Sequence, residues 1–261
     1  MIIKRPKYIE AITPFIGQPL VKILSGVRRC GKSTIFDMLK EELLSSGIDK
    51  KCIITKTYTD MDIAQNITAK QMYDELVCVT KDNAYSYLIL DEIQEISGWE
   101  KVVNSLLEKG NCDIYVTGSN SKLMSSEIST YLTGRYVQIP VYTLSFSEYL
   151  QFKSESKLTK RELLNEYIRF GGFPVVALNE YESNMAYQIV NGIYYTVVSR
   201  DIVNRHRIHK QELFDRVVRY VVENTGKTFS ANSISKFLKS ENRQLSNESI
   251  YNYLRWLEQA F

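Results

Sequence analysis

Gly26-Val27-Arg28-Arg29-Cys30-Gly31-Lys32-Ser33 decides how this chain folds. The eight residues fit G-x-x-x-x-G-K-[ST], a loop whose backbone N–H groups cradle phosphate. Immediately before it, Leu20-Val21-Lys22-Ile23-Leu24 has the apolar, branched character of a buried strand. After it, Ile35, Leu39 and Leu43 recur every four residues along one helical face, and Ser45-Ser46-Gly47 closes the helix with glycine past its end. A strand, a glycine loop and a helix in that order aim the helix N-terminus and the loop amides at an anion. Lys32 then reaches the outer phosphates, the Ser33 hydroxyl ligates magnesium, and Thr34 caps the inner phosphates. Gly26, Val27, Arg28, Arg29, Cys30, Gly31, Lys32, Ser33 and Thr34 are the candidate nucleotide contacts. The side chains of Arg28 and Arg29 touch phosphate or an acidic neighbour, or are simply solvated.

Outward from the loop, strands alternate with helices. A short helix spans residues 6–15. Strands are expected at Cys52–Tyr58, Tyr85–Leu90, Asp113–Thr117 and Tyr136–Val141, besides the loop strand. Helices capped by Thr68 and Ser97 lie between them. This is an α/β pattern with a five-stranded parallel sheet, the core of a P-loop NTPase. Beyond a polar stretch near Lys153–Lys157 the chain turns all-helical, at 159–170, 182–204 and 210–224. The last part, Thr228 onward, pairs two helices across a polar turn, as in a partial winged helix-turn-helix lacking its wing strands. Three regions follow: 1–152, 159–225 and 226–261. The apolar run at Phe261 is expected to continue in a longer protein.

The second constellation is Tyr87-Leu88-Ile89-Leu90-Asp91-Glu92, a buried strand ending in two carboxylates. In a parallel sheet both fall at the carboxyl end, beside the loop. Asp91 is the candidate magnesium ligand, and Glu92 the group that polarises the attacking water. Thr117-Gly118-Ser119-Asn120 ends another strand, so Ser119 or Asn120 either senses the outer phosphate or belongs to a polar turn. Arg135 precedes the last strand, at the wrong end of the sheet for its own nucleotide. It is either an arginine offered to a neighbouring subunit's nucleotide, which makes a homo-oligomer, or a surface arginine.

Bulk composition bounds the rest. The chain has 261 residues, 44% hydrophobic and 24% charged, with a net charge of +3. That charge is too small to imply nucleic-acid binding by itself. No apolar run reaches the ~20 residues of a membrane helix, so no membrane partner is expected. Four scattered cysteines without a C-x-x-C pair read as reduced thiols of a cytoplasmic protein. Two histidines exclude a histidine-rich metal site.

The loop with Asp91-Glu92-Ile93-Gln94 and Trp99 resembles prokaryotic AAA-type ATPases whose core is followed by a helical domain containing a winged helix. Thr117–Ser121, Leu132-Thr133-Gly134-Arg135-Tyr136, Leu144–Tyr149, Gly171-Gly172-Phe173-Pro174 and Ser199–Ile202 extend the likeness over residues 15–261. The resemblance implies ATP hydrolysis with ATP and Mg2+ as cofactors. It also implies a sensor near Ser119 and Asn120, an arginine finger at Arg135, and a further C-terminal region. Val175 departs from the usual Glu, and Val27 from the common Pro. The alternative is a nucleotide-gated switch with little turnover that binds DNA or protein through the C-terminal region. Glu92 argues for hydrolysis, since a pure switch needs no water-activating carboxylate.

Overall fold

A computed structural model of the chain describes residues 3–58, 67–119 and 131–260. It divides into two compact units, residues 1–193 and 194–261. The sequence reading drew its bounds elsewhere, at the polar stretch near 153–158 and at 225.

The first unit is built on five parallel strands: β1 (Val21–Gly26), β2 (Ile53–Thr57), β3 (Ser86–Asp91), β4 (Cys112–Ser119) and β5 (Tyr136–Pro140). Their order is β2-β3-β4-β1-β5. So β4 lies between the loop strand and the acidic strand. The register aligns Gly26 with Ser119 and Leu90 with Val116. The carboxyl ends of β1, β3 and β4 therefore finish side by side.

Side chains alternate along the buried strands, which splits the core into two layers. Leu88, Leu90, Ile114 and Val116 face one layer, with α3 (Ala69–Thr80) and α4 (Trp99–Lys109). Ile89, Tyr115 and Leu24 face the other, against α1 (Pro6–Ile12) and α2 (Lys32–Ser45). Both faces are covered, which is why the strands read as continuous apolar runs.

Local signals mostly hold. Pro6 starts α1, and a 3-10 turn at Thr13–Phe15 follows it. Thr68 makes a reciprocal capping box with Gln71 at α3. At α4 the expected Ser97 cap is replaced by Gly98, left-handed at φ 79 with no side-chain cap bond. Beyond the sheet come α5 (Phe146–Phe152), α6 (Lys160–Phe170), α7 (Pro174–Ala177) and α8 (Ser183–Thr196). Leu144, Tyr149, Leu163 and Ala177 form a small core of their own there.

The second unit begins inside the same helical run, which widens to a π-helix at Val197–Asn204. It continues with α9 (Gln211–Glu223), α10 (Ala231–Ser240) and α11 (Asn247–Ala260), packed on one another. Phe214 meets Tyr253 edge to face at 5.2 Å, and Ile234, Leu238 and Ile250 are fully buried. Ser246 caps α11 through the Ser249 N–H at 3.2 Å. Helix, turn and helix are thus present, and no strand follows Pro140 among the described residues.

Candidate functional site

The loop runs from Gly26, the last residue of β1, to Lys32, the first of α2. Gly31 sits at φ 102, a left-handed conformation that favours glycine. Gly26 is a glycine for a different reason: an added Cβ would fall 2.2 Å from the Val141 carbonyl oxygen. Its lack of a side chain lets the chain leaving β5 pack against it. Arg29 also adopts a positive φ, 63°, and its side chain is exposed.

Lys32 is buried, and its Nζ donates to the carbonyls of Gly26 at 3.0 Å and Val27 at 3.2 Å. The ammonium is folded across the mouth of the loop, held by weak acceptors that anionic oxygens would displace. Ser33 and Thr34, in the first turn of the helix, are exposed. Cys30 is fully buried. Burial pushes its thiol up, against the opposing charges of Lys32 and Arg5, so it is no nucleophile.

Asp91 ends β3 and is buried. The Thr117 hydroxyl of β4 donates to Asp91 Oδ1 and accepts the Glu92 N–H at 3.0 Å. One hydroxyl from the intervening strand therefore fixes both acidic residues. Glu92 is left-handed at φ 53, a costly conformation for a residue with a side chain. Its carboxylate accepts a hydrogen bond from Gln94 Nε2, while Gln94 Oε1 is buried with no partner among the described residues.

Thr117 and Gln94 are the contacts that the sequence reading missed as site residues. Both stand in quoted motifs, but only strand order shows that Thr117 faces Asp91. Ser119 pairs with Gly26 through the sheet, at the tip of β4 beside the start of the loop. Asn120 lies outside the described residues.

Arg135 is at the opposite end. Its carbonyl accepts from the N–H of Val21, the first residue of β1. Its guanidinium donates to Asn104 and, at 3.3 Å, to Glu108, both on α4. Five residues of β1 separate it from Gly26, roughly 17 Å at ~3.3 Å per residue. The loop, the carboxylates and the β4 tip come together, and Arg135 does not join them.

The donors near the loop suit magnesium. A serine hydroxyl and an aspartate are hard oxygen ligands, and magnesium keeps several waters and nucleotide oxygens in its octahedron. Among the described residues no group of three or more His, Cys, Asp or Glu side chains gathers to hold a metal.

Comparisons with known proteins agree with this geometry. An AAA domain matches residues 18–150, just over half the chain. The chain belongs to the AAA family of P-loop ATPases. Residues 161–261 match a domain of unknown function, DUF8612. An uncharacterized protein of Haemophilus influenzae is 34% identical across all of this chain and 65% of its own length. One from Methanocaldococcus jannaschii is 33% identical over 92% of this chain and 55% of its own length. The chain thus spans 65% and 55% of the length of these two relatives. Among solved structures, a Walker-type ATPase of Pyrococcus abyssi superposes with a TM-score of 0.65. It covers 100% of this chain and 90% of that one, at 13% identity. At that identity the likeness speaks for the fold, a P-loop ATPase core followed by helices.

Proposed function

We propose that this AAA family member hydrolyses ATP with magnesium and passes its nucleotide state to the helices that follow the core. The observation that carries the reading is the shared anchoring of Asp91 and Glu92 by Thr117, one strand from the loop. A binding loop alone needs no carboxylate pair held in that position.

In this reading Lys32 exchanges its two loop carbonyls for phosphate oxygens, and the helix N-terminus adds its partial positive charge. Ser33 and Asp91 hold magnesium, which supplies neutralisation of charge on the transferring phosphoryl group. Glu92 orients the water and takes its proton, and the tip of β4 at Ser119 and Asn120 senses the outer phosphate. Arg135 acts on the nucleotide of a second copy of the chain, since it lies too far from its own.

Glu92→Gln tests the proposal. The variant is expected to bind ATP and magnesium as the natural chain does, with turnover lower by ~10²–10⁴-fold. A loss smaller than about tenfold removes Glu92 from the chemistry. A natural chain that binds ATP without turning it over leaves the nucleotide-gated switch instead.

A further inference from the structure

We infer that Arg5 is a positioning residue for the nucleotide, holding the Cys30–Gly31 peptide so that the Gly31 N–H faces the phosphates. The inference rests on the ATP-binding reading above.

Arg5 precedes α1, and its residue is only 3% exposed. Its Nη1 donates to the Cys30 carbonyl at 3.0 Å. Its Nε and Nη2 donate to the Glu148 carboxylate at 2.8 and 3.3 Å. Nη2 also reaches the carbonyls of Tyr142 at 3.0 Å and Thr143 at 3.3 Å. A planar trans peptide points its C=O and the following N–H in opposite directions. With the Cys30 C=O pinned toward Arg5, the Gly31 N–H must point away from it, out of the protein side of the loop. That amide belongs to the set a phosphate-binding loop presents to its anion.

Two features favour this over simple fold stability. Replacing a whole buried ion pair by apolar side chains is often neutral for stability, although breaking one is costly, so the placement of this pair under the loop is better explained by the geometry that it imposes. Only a guanidinium offers a fixed fork that serves a carboxylate and several carbonyls together, and lysine does not.

The same fork reaches a motif that the proposed chemistry left unused. Leu144 follows the two carbonyls held by Arg5; its N–H donates to the Gly172 carbonyl at 2.7 Å. Its own carbonyl accepts from the Tyr167 hydroxyl at 2.8 Å. An added Cβ at Gly172 would lie 2.3 Å from the Leu144 oxygen, so no other residue fits there without a shift. Pro174 reaches the loop itself, its Cγ 3.8 Å from an ideal Cβ on Gly31. The Gly-Gly-Phe-Pro turn and the phosphate loop are thus gripped through Arg5 and the chain leaving β5.

The test compares Arg5→Lys with the natural chain by calorimetric titration with ADP, AMP and adenosine, and by steady-state ATP turnover. The loop grips the β-phosphate, which ADP has and AMP lacks. ADP affinity is expected to fall about tenfold or more, as for loss of one charged hydrogen bond. AMP and adenosine should change by less than about twofold, and turnover at saturating ATP by less than about threefold, so the effect appears in KM and not in kcat. Asp113→Asn, at the far end of the sheet, controls for general loosening. If it loses ADP as Arg5→Lys does, or if Arg5→Lys loses AMP and ADP alike, the inference is overturned.

Unchanged ADP affinity in Arg5→Lys also overturns it, while Lys32→Ala still losing ADP would leave the ATP-binding reading standing. A natural chain that binds no ADP overturns both. Should Arg5→Lys not fold, nitrogen-15 NMR of the natural chain decides. Arg5 side-chain protons resolved and shifted by ADP, but not by adenosine, support the inference. An averaged signal that ADP leaves unmoved overturns it.

Discussion

Glu148→Gln is the perturbation whose size can be worked from the structure. Burial alone pushes this carboxyl up, but the Arg5 guanidinium, the Ser145 N–H and Lys7 outweigh it and hold the group down at about 2. The Glu148 side chain is 9% exposed, so solvent screening removes little of the effect. Against an ordinary value of 4.5, the depression corresponds to about 3 kcal/mol of folding stability at ~1.36 kcal/mol per unit. A carboxyl lowered in the folded state contributes that stability above its unfolded value and loses it as pH falls through the folded one. The contribution is therefore complete at neutral pH, begins to fall near pH 4.5, and is about 1.4 kcal/mol at pH 3. Because the chain has two compact units, unfolding should be followed from the one that carries Glu148. Buried Trp99 reports it once Trp256, in the other unit, is changed to Phe. Unfolding free energies from urea titrations of the natural and Glu148→Gln chains should differ by about 3 kcal/mol at pH 7, plus a constant for the stranded Arg5, with the gap narrowing only below about pH 4.5. A gap that stays flat from pH 7 to pH 3, or closes between pH 7 and 5, refutes the reasoning.

At the other end of the sheet, buried Lys22 pairs with Asp113, which also accepts from Tyr115 Oη and, at 2.7 Å, from the Gly17 N–H. Asp113→Asn is expected to cost ~3–5 kcal/mol in urea unfolding, and Lys22→Met with Asp113→Leu to recover most of it. A single-variant loss below about 1 kcal/mol would show that the charge is not confined there. If Arg135 serves a neighbour's nucleotide, mixing Arg135→Ala with Glu92→Gln chains should restore part of the turnover that each lacks, and activity per chain should rise with concentration. Mixtures that remain inactive under proven subunit exchange return Arg135 to a surface role, held by Asn104 and Glu108.

Much of the site was legible because its chemistry is local. The loop must connect a strand to a helix within eight residues, and the apolar run Leu88-Ile89-Leu90 must end where its carboxylates begin. Capping at Thr68 was legible too, since the Thr and Gln that satisfy each other stand three apart. Ser97 shows the limit of that argument. A left-handed Gly98 turned the chain first, and the helix started one residue later than the capping pattern alone implied.

What the residues determined by themselves was the set of parts: a phosphate loop, an acidic strand end, a parallel sheet and helices beyond it. Strand order belonged to the tertiary structure. No short-range rule brings Thr117 of β4 between β1 and β3, yet that placement lets one hydroxyl bind both Asp91 and Glu92. Arg5 is the sharper case. In the chain it is an ordinary arginine beside a lysine and a proline, 25 residues from Cys30 and 143 from Glu148. Periodicity and motifs report neighbours along the chain, whereas a buried guanidinium takes whichever acceptors the packed fold brings around it.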